Sequence, residues 1–232
     1  MPKTSLLLLP GLLCDETLWQ DQIKALKDIA DCHVADLARH DSIEALAQDA
    51  LAAAPSKFAL AGLSMGGYVA FEIMRHAPER VTKLCLLDTT AKPDTPEQKE
   101  RRKLLLVMSR SGKFKGVTPR LLPMLIHPSR MEDKELTGTI IAMAEKVGRE
   151  AFQRQQKAIM NRIDSRPHLA AIRCPVHIIC GAQDALTPPE VMHEIAGGIS
   201  GAQIDMIENC GHLSPLEQPE RVSEIMRWWL LL

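Results

Sequence analysis

Ser64 stands between Gly62 and Gly66 in the stretch Phe58–Tyr68, FALAGLSMGGY, and its hydroxyl is the first candidate for chemistry. A serine hydroxyl is a weak nucleophile at neutral pH and needs a base to take its proton. Of the eight histidines, His212 lies in a loop just past the last predicted strand, in ENCGHLSPLEQPE. His177 falls inside a predicted strand and reads as structural, while His76 and His193 fall on or near helices. The base in turn needs a carboxylate that holds its tautomer and favours the imidazolium. Asp184, in CGAQDALTPPE after the penultimate predicted strand, is preferred for this role, with Asp88 at the end of CLLDTT as its rival. Attack on a carbonyl also needs two donors for the oxyanion that forms. The backbone N–H of Met65, directly after the serine, supplies one. The other is expected from LLLLPGLLCDETLW, where Gly11 permits close approach and the Leu12 N–H is the first choice, with Leu13 as alternative.

These groups can meet only if a common edge carries them. Short apolar runs alternate with amphipathic stretches along the chain, which implies an α/β fold with a mostly parallel sheet and helices on both faces. Six strands are expected: TSLLLLP, CHVADL, KFALAGL, VTKLCLLDTT, PVHIICG and AQIDMIENC. Helices are expected around residues 17–30, over SIEALAQDALAAA with Ser42 at its start, over 65–76, near 189–196, and from Pro219 to the end. An open parallel sheet places its site beyond the C-terminal ends of its strands. Ser64, Asp184, His212 and the Leu12 loop all follow predicted strands. A strand turning abruptly into a helix strains its corner residue, and Gly62 and Gly66 relieve the crowding around it.

From Lys92 to Arg166 the alternation stops. KERRKLLLVMSR, TPRLLPMLI and ELTGTIIAMAEKVGREAFQRQQKAIMNRI read as helices, so residues 92–166 are expected to form a helical cap inserted into a core of residues 1–91 and 167–232. This segment has 17 Lys/Arg and 9 Asp/Glu, a net +8, whereas the rest has 11 and 20, a net −9. A positive cap attracts anionic substrates or an acidic partner, and Arg120, Arg154 and Arg162, outside obvious acid pairs, are its candidate contacts. Ordinary solvated helix faces would show the same charges. Met108, Met124, Met131, Met143 and Met160 suit either an adaptable acyl pocket or plain helix packing.

Among 232 residues, 46% are apolar and 25% charged, with a net charge of −1. Such a balance describes a globular chain with no bias towards nucleic acid or membrane. The first residues lack a secretory pattern, and no apolar run approaches the ~18 residues of a membrane span. The expectation is a cytoplasmic protein with six free, mostly buried cysteines. With no paired-cysteine spacing and no HExxH, neither metal nor cofactor is expected.

Taken together, LLLLPGLLCDETLW, LAGLSMGGYVAFEIMRHAPERV, CPVHIICGAQDALTPPE and IENCGHLSPLEQPERV resemble the oxyanion segment, nucleophile elbow, acid loop and histidine loop of the α/β-hydrolase superfamily. The order Ser64, Asp184, His212 matches that of the family. Two departures stand out: Pro10-Gly11 replaces the His-Gly of many relatives, and the chain begins at the strand that usually stands third. Length and cap position are most similar to small carboxylesterases, including enol-lactonases and carrier-protein methyl esterases. The resemblance implies a serine hydrolase that cleaves a small carboxylic ester, anionic or bound to a carrier protein, through an acyl-enzyme. C–C bond hydrolysis, lactone opening or a lyase step on the same triad, and a non-catalytic ligand-binding protein, are the alternatives.

Overall fold

The structure, a computed structural model, describes residues 2–112 and 114–232. Six strands form one sheet in the order β2-β1-β3-β4-β5-β6. They are β1 (Thr4–Leu9), β2 (Ala30–Val34), β3 (Phe58–Leu63), β4 (Val81–Leu87), β5 (Val176–Gly181) and β6 (Gln203–Ile207). Every neighbouring pair is parallel, so all six strands deliver their following loops to one edge.

The central strands are buried on both faces, which is why their sequences read as continuous apolar runs. Alternate side chains divide between two cores. Leu6 and Leu8 of β1 and Ala59, Ala61 and Leu63 of β3 join a cluster with Trp19, Val222, Met226 and Trp229. Leu7, Leu9, Phe58 and Leu60 join the opposite cluster with Leu46, Val69, Ile73 and Ile195. Helices α1 (Gln20–Leu26) and α8 (Pro219–Leu231) thus cover one face, and α2 (Ile43–Ala53), α3 (Met65–His76) and α7 (Pro189–Gly198) the other. The Ser42 hydroxyl caps α2 by accepting from the Ala45 N–H.

Some boundaries differ from the sequence reading. The second strand starts at Ala30, because its pairing with β1 begins at Thr4, and it ends at Val34. Beyond it, Asp36 accepts from the Ala38 N–H and turns the chain away. The helix expected near residue 17 begins as a 3-10 turn at Glu16–Trp19 before α1.

Between β4 and β5 the described residues form helices and loops. They are α4 (Pro96–Ser109), α5 (Leu122–Leu125) and α6 (Lys134–Met160). A capping box between Thr95 and Gln98 starts α4, and Asp133 caps α6. The helix expected over TPRLLPMLI shrinks to the single turn α5, since prolines at 119 and 123 cannot donate to a helical ladder. The long last helix of the segment is broken. Gly148 has φ 84° and ψ 177°, a conformation essentially restricted to glycine, and it re-aims the second half of α6. Both halves are anchored, the first by Leu136, Ile140 and Met143, the second by Phe152, Gln155 and Ile159. A Cβ at residue 148 would meet open space, so Gly148→Ala tests backbone strain alone. It is expected to lower unfolding free energy by about 1–3 kcal/mol, read from denaturant melts.

Candidate active site

The corner after β3 is as tight as the sequence suggests. Ser64 has φ 53° and ψ −112°. A Cβ on Gly66 would lie 2.1 Å from the Leu9 carbonyl oxygen, and one on Gly62 would lie 2.5 Å from that of Gly66. Only glycine lets β1, β3 and α3 converge there. The Ser64 N–H donates to the Leu87 carbonyl, and its own carbonyl accepts from the Gly67 N–H and the Thr89 hydroxyl. These bonds fix the corner and leave the Ser64 side chain free of capping duty.

His212 and Asp184 meet this serine from two other strand ends. His212 Nε2 lies 2.9 Å from Ser64 Oγ, and His212 Nδ1 lies 2.8 Å from Asp184 Oδ2. Both partners are 3% exposed, whereas Ser64 is half-buried. Asp184 also accepts from the Leu186 N–H, the Thr187 N–H and the Thr187 hydroxyl. Burial alone would raise the Asp184 pKa, but the His212 charge and these donors outweigh it and leave the pKa lowered. Burial likewise disfavours the His212 imidazolium, yet Asp184 prevails and the His212 pKa is raised. The pair is therefore arranged to let His212 accept and hold a proton.

Asp88 is close by and differently used. It accepts from the Gly181 N–H at 2.8 Å and from the Ser214 hydroxyl, tying the ends of β4 and β5 to the histidine loop. Burial, and then the Asp184 charge, push its pKa up to about 8. Two carboxyls so near each other in the interior cannot both ionise cheaply. With more donors and the imidazole, Asp184 keeps the charge.

At the candidate oxyanion position, the Met65 N–H opens α3, where the first N–H groups have no intrahelical acceptor. Among the described residues neither it nor the Leu12 N–H donates a hydrogen bond. The alternative, Leu13, is not free: its N–H donates to Gln155 Oε1 at 3.1 Å.

The helical segment presses on this site. The His212 and Leu213 N–H groups donate to the Leu125 carbonyl at 3.0 and 3.1 Å. Glu217 accepts from the Gly211 N–H at 2.9 Å and the His127 N–H at 2.6 Å. Of the three arginines expected to stand outside acid pairs, Arg162 does not. Its guanidinium is 2.6 Å from Asp94 and lies 4.3 Å over the Tyr68 ring, sequestered by a buried counter-charge. It lines a cavity of about 150 Å³ with Tyr68, Lys92 and Ser42, which does not include Ser64. Arg154 donates to the Ala38 carbonyl, and Arg120 is exposed. Of the five methionines, Met143 is packed in the core and Met108 is exposed.

Sequence reasoning missed Thr187, Gln155, Ser214 and Glu217. Asp184-x-x-Thr187 carries a local signal, since an aspartate commonly accepts from backbone two or three residues on. The others act across the fold and leave no local pattern. His177 sits within β5, with Nε2 2.8 Å from Asp205 on β6, away from the serine. His76 pairs with Glu72 on α3.

The alpha/beta hydrolase family model matches residues 6–225, and the chain belongs to that family. It is 32% identical to a thermophilic esterase from Thermogutta terrifontis, solved with malate bound, with a TM-score of 0.89 over 98% of this chain and 89% of that one. It is 25% identical over 231 residues to a pimeloyl-(acyl-carrier protein) methyl ester esterase of Nitrosomonas europaea, covering 93% of this chain and 91% of that protein. An enol-lactonase from Burkholderia xenovorans shares the fold, with a TM-score of 0.88 at 22% identity. Among the described residues no helix is long and apolar enough to cross a membrane, and no group of three His, Cys, Asp or Glu is placed to hold a metal ion.

The hydrogen bonding ranks the two aspartates. Asp184→Asn is expected to lower kcat by about 10⁴-fold, by favouring the wrong histidine tautomer. Asp88→Asn should cost far less. The sign of the pH effect follows from the raised His212 pKa: the neutral base is lost as pH falls through it. With the Asp184 charge removed, the acid limb of residual kcat/KM should move to lower pH. A pH–rate profile of each variant checks both statements.

Proposed function

We propose that the protein is a serine carboxylesterase, with Ser64 as nucleophile, His212 as base and Asp184 as the group that orients it. The observation that carries this reading is the unbroken line from Ser64 Oγ through the imidazole to Asp184, at 2.9 and 2.8 Å. Ser64 Oγ attacks the ester carbonyl carbon while His212 Nε2 takes its proton. The Leu12 and Met65 N–H groups hold the resulting oxyanion. When the tetrahedral intermediate collapses, the C–O bond to the alcohol breaks and His212 returns the proton to the leaving oxygen. Water, deprotonated by His212, then attacks the acyl-enzyme; the bond from the acyl carbon to Ser64 Oγ breaks, His212 returns the proton to Oγ, and the acid leaves.

An apolar acyl group is the class this reading favours, because Leu125, whose carbonyl accepts from the His212 N–H, and Leu12, whose N–H is a candidate oxyanion donor, are partly buried apolar residues. Leu12, Leu121, Leu125 and Val147 pack at the border of the core cluster that contains Leu13 and Leu213. Residues 92–166, with helices α4 to α6, act in this reading as a cap, whose surplus of cations extends the substrate class to anionic or carrier-bound esters. Arg162 is excluded from such contacts by Asp94.

Ser64→Ala should fold normally and lose esterase activity, by a factor on the order of 10⁶ where a comparable triad was dissected. A fluorophosphonate probe should label the wild type at Ser64 and spare the variant. Labelling at another residue, or wild-type turnover by the variant, would refute the assignment.

A further inference from the structure

We propose that Gln155, contributed by the second half of α6, is the positioning residue of the oxyanion hole: it holds the loop after β1 in the one conformation that leaves the Leu12 N–H free to bind the substrate oxygen. The inference rests on the reading of Ser64 as an esterase nucleophile and names a part of that same site.

Four observations converge on it. Gln155 is completely buried. Its side-chain amide is used at both ends: Oε1 accepts from the Leu13 N–H and Nε2 donates to the Leu37 carbonyl, each at 3.1 Å. The groups it joins belong to the loops after β1 and β2, 142 and 118 residues away in the chain. Leu13 itself has φ 59°, in the left-handed region.

The physical link runs through the peptide joining Leu12 to Leu13. A leucine with positive φ costs about 1–2 kcal/mol relative to ordinary backbone, so the loop would relax unless something held it. The Gln155 amide does so by accepting from the Leu13 N–H, which would otherwise be a buried, unpaired donor costing about 1–3 kcal/mol. Relaxation at Leu13 rotates the neighbouring peptide units and swings the Leu12 N–H out of line with that of Met65. A donor displaced by 1 Å stabilises the developing oxyanion poorly while barely changing ground-state binding. Gln155 touches no reacting atom and acts through the loop. The break at Gly148 sets the direction from which the second half of α6, and this amide with it, enters the core.

The test uses the full-length protein, p-nitrophenyl butyrate as substrate, and a butyl trifluoromethyl ketone that forms a reversible tetrahedral adduct with a serine. Gln155→Met keeps the volume and removes both hydrogen bonds. It is expected to lower kcat by about 100-fold with KM changed by less than about threefold. Its affinity for the ketone should fall in step with kcat/KM. Gln155→Glu supplies the second readout. Ionised, its carboxylate accepts from the Leu13 N–H but repels the Leu37 carbonyl; protonated, it accepts from one and donates to the other. Its kcat relative to wild type should therefore recover as pH falls from about 8 to about 6. A role in packing alone would lower thermal stability without this recovery and without loss of ketone affinity in the folded fraction.

A kcat of folded Gln155→Met within about threefold of wild type, a glutamate variant with no loss at about pH 8, or a loss in the glutamate variant that is constant across pH, overturns the assignment. Should Gln155→Met not fold, the glutamate variant carries the test. If neither folds, Gln155 belongs to packing and the assignment is likewise overturned. Fluorophosphonate labelling of the wild type, run alongside, separates the two readings. Absence of labelling at Ser64 sinks the esterase itself, whereas labelling with an unaffected Gln155 variant sinks only the role of Gln155.

Discussion

The backbone of Ser64, at φ 53° and ψ −112°, is a conformation that costs a non-glycine residue about 1–3 kcal/mol, and the surrounding fold is built so that it cannot relax. Its N–H is committed to β4 and its carbonyl to Gly67 and Thr89. Residue 66 has no room for a side chain against the Leu9 carbonyl. The same convergence of β1, β3 and α3 brings the loop after β1 beside the start of α3, so the constraint that exposes the hydroxyl also assembles the two candidate oxyanion donors. Strain at the corner and geometry at the site are one feature.

Electrostatics adds a second constraint. Three carboxyls, Asp88, Asp184 and Glu217, are buried at the sheet's C-terminal edge. Burial raises the pKa of Asp88 and Glu217. Only Asp184 faces an imidazole, and its pKa alone of the three is lowered. Asp88 and Glu217 serve as braces, each receiving bonds from two separate segments. The helical segment takes part in this bracing at Leu125, His127 and Gln155. It is therefore part of the scaffold of the site.

Much of this was legible from sequence where the signal is local. The parallel sheet follows from buried runs such as LLLL and FALAGL, and the corner at Ser64 from two glycines at fixed offsets. His212 stands apart from the other histidines because it follows a strand at the sheet's C-terminal edge; Asp88 follows one too, and Asp184 is preferred to it because its loop resembles the family's acid loop. Legibility failed where the deciding partner is distant in the chain. Arg162 looked unpaired because Asp94 is 68 residues away. Leu13 looked like a spare donor because Gln155 lies on another element. The break at Gly148 was hidden by helix formers on both sides, since one glycine within a helical pattern need not end it.

The proposed mechanism requires an acyl ester on the Ser64 oxygen. The most direct measurement is mass spectrometry of the protein quenched in acid during turnover of p-nitrophenyl butyrate, followed by peptide mapping. The account predicts a butyryl adduct confined to the peptide containing Ser64, accumulating with the burst of p-nitrophenol and disappearing as substrate is exhausted. Turnover with no adduct under conditions where a burst is seen, or an adduct on a different residue, would contradict it.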